Sequence, residues 1–187
     1  MDNKNIASFK ERLRELFLEI GALKKGDFLL SSGRRSNYYL DARLVSLHPQ
    51  GAYLIANIIL HMLEKEDIDA LGGPTLGADP IAAAVAVLSY EKGAPLPAFI
   101  VRKAAKEHGL QRQIEGAILK KGSRVVLVDD VVTSGKSLIE AKNALSEQGV
   151  EVVRAITIVD RLEGAAENLS CVGVRLSPIL TIRDFGL

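Results

Sequence analysis

Two adjacent carboxylates, Asp129 and Asp130, directly follow a short apolar run at residues 125–128. The run is continuous and β-branched, which is typical of a strand that is buried on both faces. Small and hydroxyl-bearing residues at 133–137 follow, and apolar residues then recur at helical spacing over residues 138–145. A turn of this kind between a strand and a helix presents main-chain N–H groups that can hold a phosphate. The two carboxylates would repel a phosphate but suit a sugar diol or Mg²⁺, so the stretch predicts a ligand that carries a phosphate and vicinal hydroxyls.

Two other interpretations of this stretch stay open. Gly135, Lys136 and Ser137 resemble the end of a P-loop, but that motif requires a glycine five residues earlier, where Asp130 stands. The stretch could also be only a buried strand and a helix, with Ser134 or Ser137 as the N-cap and the aspartates as a solvated strand end.

Positively charged and titratable side chains are concentrated on a long polar segment, residues 102–116, which follows an apolar run. They are Arg102, Lys103, Lys106 and His108. Segments of this length in a compact domain are often functional. The segment is either a solvated surface loop or a lid that brings cations to phosphates.

A second polar and basic segment, residues 31–37, joins two short predicted strands at residues 26–30 and 38–41. Tyr38 and Tyr39 in the second strand offer an aromatic surface for a base. From these residues alone, a solvated turn is the simpler interpretation.

The order of the predicted elements determines where the polar turns lie. Helical patterns cover residues 9–20, 54–63, 81–90 and 138–145, and apolar runs typical of strands cover residues 68–71, 97–101, 125–128, 150–159, 171–176 and 179–182. The helix at 81–90 is apolar on nearly all sides, so we expect it to be buried. Strands and helices alternate from residue 50 to residue 160, which predicts an α/β fold with a mostly parallel central sheet and helices on both faces.

Ligands bind at the carboxyl ends of the strands in such sheets. Four polar or glycine-rich segments each follow a predicted strand: residues 72–80, 102–116, 129–137 and 160–163. We therefore expect these four segments to share one edge of the sheet. The three glycines at residues 72–80 would allow the main chain to approach a ligand closely.

Composition limits the classes of partner. The chain has 187 residues, enough for one domain, and its formal charge of +1 argues against a surface that coats nucleic acid. The longest apolar run, at residues 81–88, is too short to span a bilayer, so neither a nucleic-acid nor a membrane partner is expected. The single cysteine, Cys171, rules out an internal disulfide, lies in an apolar run that favours burial, and fits a cytoplasmic location.

The aspartate pair and its turn carry a resemblance to a known family. The segment Val-Leu-Val-Asp129-Asp130-Val-Val-Thr133-Ser134-Gly135-Lys-Ser is similar to the phosphoribosyl pyrophosphate (PRPP) motif of type I phosphoribosyltransferases. Within that family the chain most resembles the orotate phosphoribosyltransferases. The motifs behind this narrower resemblance are Phe28-Leu-Leu-Ser-Ser-Gly33 with Ser36-x-Tyr38-Tyr39-x-Asp41, Arg102-Lys103-x-x-Lys106-x-His108-Gly109, and Asp160-Arg161-x-Glu163.

The resemblance implies a fold and a reaction. The fold is a single domain over residues 1–187, with a small hood formed by residues 1–45 and 165–187. The reaction is transfer of the phosphoribosyl group from PRPP to orotate, which gives orotidine 5′-monophosphate and pyrophosphate in pyrimidine (UMP) biosynthesis. Mg²⁺ is implied as cofactor, held mainly by PRPP oxygens with Asp130 as the candidate protein ligand. A homodimer is also implied, in which the lid at 102–116 reaches the neighbouring subunit's site.

The resemblance assigns roles to individual residues. Those expected to bind PRPP are Arg102, Lys103, Lys106, His108, Asp129, Asp130, Val131, Val132, Thr133, Ser134, Gly135, Lys136 and Ser137. Those expected to act in catalysis are Lys106, His108 and Lys103, with Lys106 as the main stabiliser of the leaving group. Thr133 and Arg161 are expected to bind orotate, and residues 72–77 to lie under the pyrophosphate.

The chain also departs from the family pattern. Some members carry a lysine where Ser31 stands and another where Gly77 stands, so two cations of that pattern are absent, and Arg34 or Arg35 could replace them. Two alternatives remain open: a phosphoribosyltransferase for another base, and a non-catalytic regulator that binds PRPP.

Overall fold

A computed structural model describes residues 3–29, 35–102 and 113–187 of the chain. The helices are α1 (Asn3–Glu19), α2 (Arg43–Ser46), α3 (Pro49–Leu63), α4 (Ala78–Glu91), α5 (Lys136–Glu147) and α6 (Ala165–Cys171), and a 3₁₀ turn spans Ile182–Phe185. The strands are β1 (Leu23–Leu29), β2 (Arg35–Leu40), β3 (Ala70–Pro74), β4 (Ala98–Val101), β5 (Ile114–Gly116), β6 (Arg124–Val132), β7 (Glu151–Asp160) and β8 (Arg175–Thr181).

The central sheet has six strands in the order β5-β4-β3-β6-β7-β8. The pairs from β4 to β8 are parallel, and only β5 is antiparallel to its neighbour. This is the mostly parallel sheet that the alternation of strands and helices predicts.

Helices cover both faces of this sheet, because the side chains of a strand alternate between its two faces. On β6, Val126 and Val128 pack in a core with α1, α3 and α4, whereas Val125 and Leu127 pack in a second core with α5 and α6. The helix α4 is not buried all round, since Val87 is 71% exposed. Its buried face consists of small and branched residues that contact the sheet.

The strands β1 and β2 form a separate antiparallel hairpin. Leu23 and Tyr38 of this hairpin are buried in the same core as α1. The predicted hood at residues 1–45 therefore contains its own small sheet, although its role as a hood stays a prediction.

The C-terminal segment differs from the prediction in two ways. Residues 175–181 form one strand, β8, where two short strands were expected; it pairs in parallel with β7 at the edge of the large sheet, where Ile179 and Leu180 are buried. Cys171 was expected to be a buried strand residue, but it ends the short helix α6 and is exposed. The helix forms because Ala165 and Leu169, one turn apart, cover the second core.

The carboxyl ends of four parallel strands lie side by side. Pro74 of β3 pairs with Val101 of β4, and Val132 of β6 pairs with Asp160 of β7. The segments after these strands therefore begin at one edge of the sheet, as predicted. Within the described residues, no helix is both long and apolar enough to cross a bilayer.

Candidate active site

A cavity of about 570 Å³ opens at this edge of the sheet. It is lined by Leu40, Asp41, Ala42, Arg43, Thr75, Leu76, Gly77, Asp130 and Val131. The lining joins the end of the hairpin, the turn between β3 and α4, and the end of β6. Segments distant in sequence thus meet around one opening.

Asp129 is a buried carboxylate inside β6, because the strand continues to Val132 and does not end at Val128. Its Oδ1 accepts the main-chain N–H of Asp130 at 3.0 Å, and its Oδ2 accepts the Ser137 hydroxyl at 3.0 Å. Burial, assisted by the negative charge of Asp130, raises the pKa of Asp129 to about 7. The hydrogen bond from Ser137 opposes that rise but does not cancel it.

Asp130 lies beside Asp129 and faces the cavity. Its Oδ1 accepts the N–H of Val131 at 2.7 Å. Burial raises the pKa of Asp130 as well, while the positive charge of Arg43 across the cavity lowers it. Arg43 is held in turn by Asp41, with Nε 3.0 Å from Oδ1 and Nη2 3.2 Å from Oδ2. The cavity therefore has Asp130 on one wall and the Asp41–Arg43 ion pair on the other.

Gly77 permits the close approach of the β3–α4 turn to both aspartates. A Cβ atom at this position would lie 2.2 Å from Oδ1 of Asp129 and 2.6 Å from Oδ1 of Asp130. Any side chain here would displace the carboxylates, so the turn and the aspartates can come this close only with glycine at position 77.

The turn at residues 133–137 leads into α5 with its main-chain donors uncapped. Gly135 is the N-cap, with a left-handed φ of 77°, and no side chain caps the helix. Neither Ser134 nor Ser137 is the N-cap, because the Ser137 hydroxyl bonds Asp129 instead. Asn168 of α6 donates to the carbonyl of Ser134 at 2.9 Å and fixes the turn. An uncapped helix start on a fixed turn is suited to bind a phosphate.

Arg161 directly follows β7 at the same edge. Its main-chain N–H donates to the carbonyl of Val132 at 3.1 Å. Asp160 is buried and accepts the N–H of Leu162 at 2.8 Å, so it shapes the turn. The guanidinium Nε donates to the Tyr38 hydroxyl at 2.8 Å and lies 2.9 Å from Oε1 of Glu163.

Some residues expected in the site have other surroundings. The Val132 side chain is buried in the second core, which leaves only its main chain for a ligand. Lys136 is exposed, with Nζ 3.8 Å from Oε1 of Glu140. Arg35 pairs with Asp27 on the exposed hairpin and is not part of the cavity lining.

The predicted lid falls mostly outside the described residues, as do Ser31 and Arg34. Lys103, Lys106 and His108 lie in that part of the chain. Arg102 is described, and its Nη1 lies 3.2 Å from Oε1 of Glu115 at the base of the segment.

The carboxylates at this site suit a metal cation that is also coordinated by oxygen atoms of a bound substrate. Among the described residues, no group of three or more His, Cys, Asp or Glu side chains could hold a metal. Asp129 and Asp130 offer carboxylate oxygens, the ligands that Mg²⁺ prefers, and Mg²⁺ commonly binds through one or two carboxylates together with phosphate oxygens. The site thus agrees with an ion that enters with a phosphorylated ligand.

Known proteins resemble this chain over most of its length. A family model described as phosphoribosyl transferase domain matches residues 46–185. The orotate phosphoribosyltransferase of Methanopyrus kandleri is 50% identical over 94% of this chain and 91% of that protein. The chain belongs to the orotate phosphoribosyltransferase family.

Solved structures of orotate phosphoribosyltransferases share the fold. The Mycobacterium tuberculosis enzyme in complex with Fe(III) dicitrate superposes with a TM-score of 0.84 at 40% identity, over 96% of this chain and 99% of that one. The same enzyme in complex with PRPP superposes with a TM-score of 0.80 at 36% identity, again over 96% and 99%. The sheet and helices described above are therefore the type I phosphoribosyltransferase fold, and the family is one of pentosyltransferases.

Three groups at or beside the candidate site were not predicted from the sequence. They are Arg43 on the cavity wall, Asn168 behind the phosphate turn, and the hydroxyl of Tyr38. Arg43 lies two residues after the motif that ends at Asp41, so a search for cations near Asp41 could have found it. Nothing in the sequence pairs Asn168 with Ser134 or Tyr38 with Arg161, since each contact joins distant elements.

Proposed function

We propose that this chain transfers the phosphoribosyl group from PRPP to orotate, with Mg²⁺, and so forms orotidine 5′-monophosphate for pyrimidine biosynthesis. One observation carries the proposal. An aspartate pair of which Asp129 is buried, an uncapped helix start and a restrained arginine occupy one edge of the sheet in a chain of the orotate phosphoribosyltransferase family. These groups match, in order, a sugar diol, a phosphate and a carboxylate.

The phosphate turn and the aspartate pair would bind PRPP. The main-chain N–H groups of residues 133–137 would hold the 5′-phosphate. Asp129 and Asp130 would accept hydrogen bonds from the ribose hydroxyls. Residues 72–77 would lie under the pyrophosphate, and Arg43 on the cavity wall would supply a cation where Gly77 carries none.

Bond breaking would develop positive charge on the sugar and negative charge on the pyrophosphate. Bound Mg²⁺ would neutralise part of that negative charge. Lys103, Lys106 and His108 would supply further cations from the lid, with Lys106 as the main stabiliser of the leaving group. Closure of the lid would exclude water from the reacting carbon.

Arg161 would bind the carboxylate of orotate, because a guanidinium can make two parallel hydrogen bonds to a carboxylate. Thr133, at the start of the phosphate turn, would contact the same base. A site built to pair with a carboxylate rejects bases that lack one.

We further propose a homodimer in which the lid of each subunit acts on its neighbour's site. The proposal rests on the family resemblance of the lid motif. We place the enzyme in the cytoplasm, where a lone exposed thiol such as Cys171 stays reduced.

Pyrophosphate release from PRPP and Mg²⁺ tests the function directly. We expect release when orotate is added and little release with adenine. Arg161→Ala should raise the KM for orotate by about 10- to 100-fold and leave the KM for PRPP nearly unchanged. Faster turnover with adenine would favour a phosphoribosyltransferase for another base. PRPP binding without turnover of either base would favour the non-catalytic regulator.

A further inference from the structure

Tyr38 contacts the guanidinium of Arg161 in two ways, although the two residues are 123 positions apart. Its hydroxyl oxygen accepts a hydrogen bond from Nε at 2.8 Å. Its ring lies beneath the guanidinium, with Cζ 4.8 Å from the ring centroid, which is within the range of a cation–π contact. The same phenol therefore restrains both the direction and the plane of the guanidinium.

The surroundings make this pair more than a surface contact. Tyr38 is 9% exposed, and the Arg161 side chain is 17% exposed. Tyr38 belongs to the hairpin β1–β2, whereas Arg161 follows β7 of the large sheet. Burial strengthens the hydrogen bond to a charged donor and limits the other positions that the guanidinium can occupy.

Among the described residues, the contacts of Arg161 are on the Nε side of its guanidinium. Nε carries the bond to Tyr38 and lies 2.9 Å from Oε1 of Glu163. Within the described residues, the hydrogen bonds of this side chain involve Nε and neither of the two Nη atoms. The paired Nη groups are the end of arginine that makes two parallel hydrogen bonds to a carboxylate.

We propose that Tyr38 is a positioning residue that determines specificity for a carboxylated base: its hydroxyl and ring fix Arg161 so that the Nη pair faces the substrate's carboxylate. The inference rests on the proposed function, because it assumes that Arg161 binds orotate. It adds a link between the hairpin and the base site. Without the Tyr38 hydroxyl, Glu163 is the remaining acceptor beside Nε, so the guanidinium is less restrained and the paired geometry is populated less.

Tyr38→Phe tests the hydroxyl, because it keeps the ring and removes only the acceptor. We expect the KM for orotate to rise about tenfold, the factor that corresponds to the loss of one hydrogen bond to a charged group. The KM for PRPP and the inhibition constant of uracil, which lacks the carboxylate, should not change. Tyr38→Leu removes the ring as well and should raise the KM for orotate further. Tyr53→Phe removes the same atom from an exposed tyrosine on α3 and serves as the matched control.

The Arg161→Ala background separates this inference from the proposed function. If Tyr38 acts through Arg161, adding Tyr38→Phe to Arg161→Ala should cause no further rise in the KM for orotate. A normal KM in Tyr38→Phe together with a raised KM in Arg161→Ala would overturn the role of Tyr38 alone. A normal KM in Arg161→Ala would overturn the proposed role of Arg161 and this inference with it. An equal loss of orotate and uracil binding in Tyr38→Phe would show a general structural role and would also overturn the inference.

Discussion

At the scale of single residues, the main electrostatic cost of the site is the ionisation of Asp129. Its carboxyl is buried next to a second carboxyl, and its pKa rises from 3.8 to about 7. The hydrogen bonds from Ser137 and from the Asp130 main chain only partly offset that cost. If Asp129 binds the ribose hydroxyls as proposed, their donors would offset more of that cost.

Asp129 should make the protein less stable as pH rises. The folded state keeps a proton on this carboxyl that the unfolded chain releases above its ordinary pKa, so the free energy of unfolding falls between about pH 4 and pH 7. In Asp129→Asn, the new amide can still pair with Ser137 and with the Asp130 main chain. The fall in the free energy of unfolding with pH should then be smaller by about 2–4 kcal/mol, since one pKa unit corresponds to about 1.4 kcal/mol. Urea unfolding at about pH 5 and pH 8 measures this fall in the free energy of unfolding for each protein.

The control for this prediction is Asp67→Asn, because the Asp67 side chain is fully exposed. That variant should keep the decline of the parent protein. If Asp129→Asn lost as much stability between the two pH values as the parent, another group would have to bind the proton.

At the scale of elements, the β3–α4 turn and the end of β6 have to approach each other closely. Gly77 adopts φ −61° and ψ −40°, which suit alanine as well as glycine. Gly77→Ala should therefore act only through its added methyl group, which would meet both carboxylates. We expect the KM for PRPP to rise at least about tenfold and stability to fall by about 1–3 kcal/mol, as for other overpacked sites.

Gly93→Ala, just beyond the other end of α4, is the matched control. Nothing lies within 4 Å of a Cβ at Gly93, but its φ of 76° strains an alanine. This variant should lose about 1 kcal/mol of stability and keep the KM for PRPP. An unchanged KM for PRPP in Gly77→Ala would show that the aspartates do not need the turn so close.

Elements whose apolar pattern is strong were predictable, and their ends were not. The run at 125–128 correctly indicated a buried strand, yet β6 continues through Asp129 and Asp130. Pairing with β7 extends β6 as far as Val132, which lies opposite Asp160. No local pattern in the sequence shows that pairing. The chemistry of the aspartate pair was likewise visible in residue types, whereas the Tyr38–Arg161 contact depends on how the hairpin docks.

At the scale of the whole molecule, the residues that stabilise the fold lie apart from the residues of the proposed site. Two apolar cores, one on each face of the sheet, fix the strands. Every described group of the proposed site lies at or beside the carboxyl edge of those strands. The lid cations of the proposed site lie outside the described residues, and a second subunit could supply them without altering either core.

Mixing two impaired variants, assayed at an orotate concentration well below the KM of Arg161→Ala, tests whether the lid acts across subunits. We call the aspartate pair, the turn at residues 133–137 and Arg161 the cradle. Lys106→Ala removes a lid cation, and Arg161→Ala removes a group from the cradle. If each lid serves its neighbour, a mixed dimer combines both defects in one site and leaves the other intact. Coexpression in equal amounts should then restore about one quarter of wild-type activity, because half of the dimers are mixed and each has one working site.

The matched control mixes Arg161→Ala with Asp130→Asn. Both substitutions affect the cradle of their own subunit, so each site of a mixed dimer keeps one defect and activity should stay low. If Lys106→Ala with Arg161→Ala also stayed inactive while sedimentation showed dimers, each lid would serve its own subunit. The trans arrangement predicts restored activity for the first pair only, and dilution below the dimer dissociation constant should abolish it.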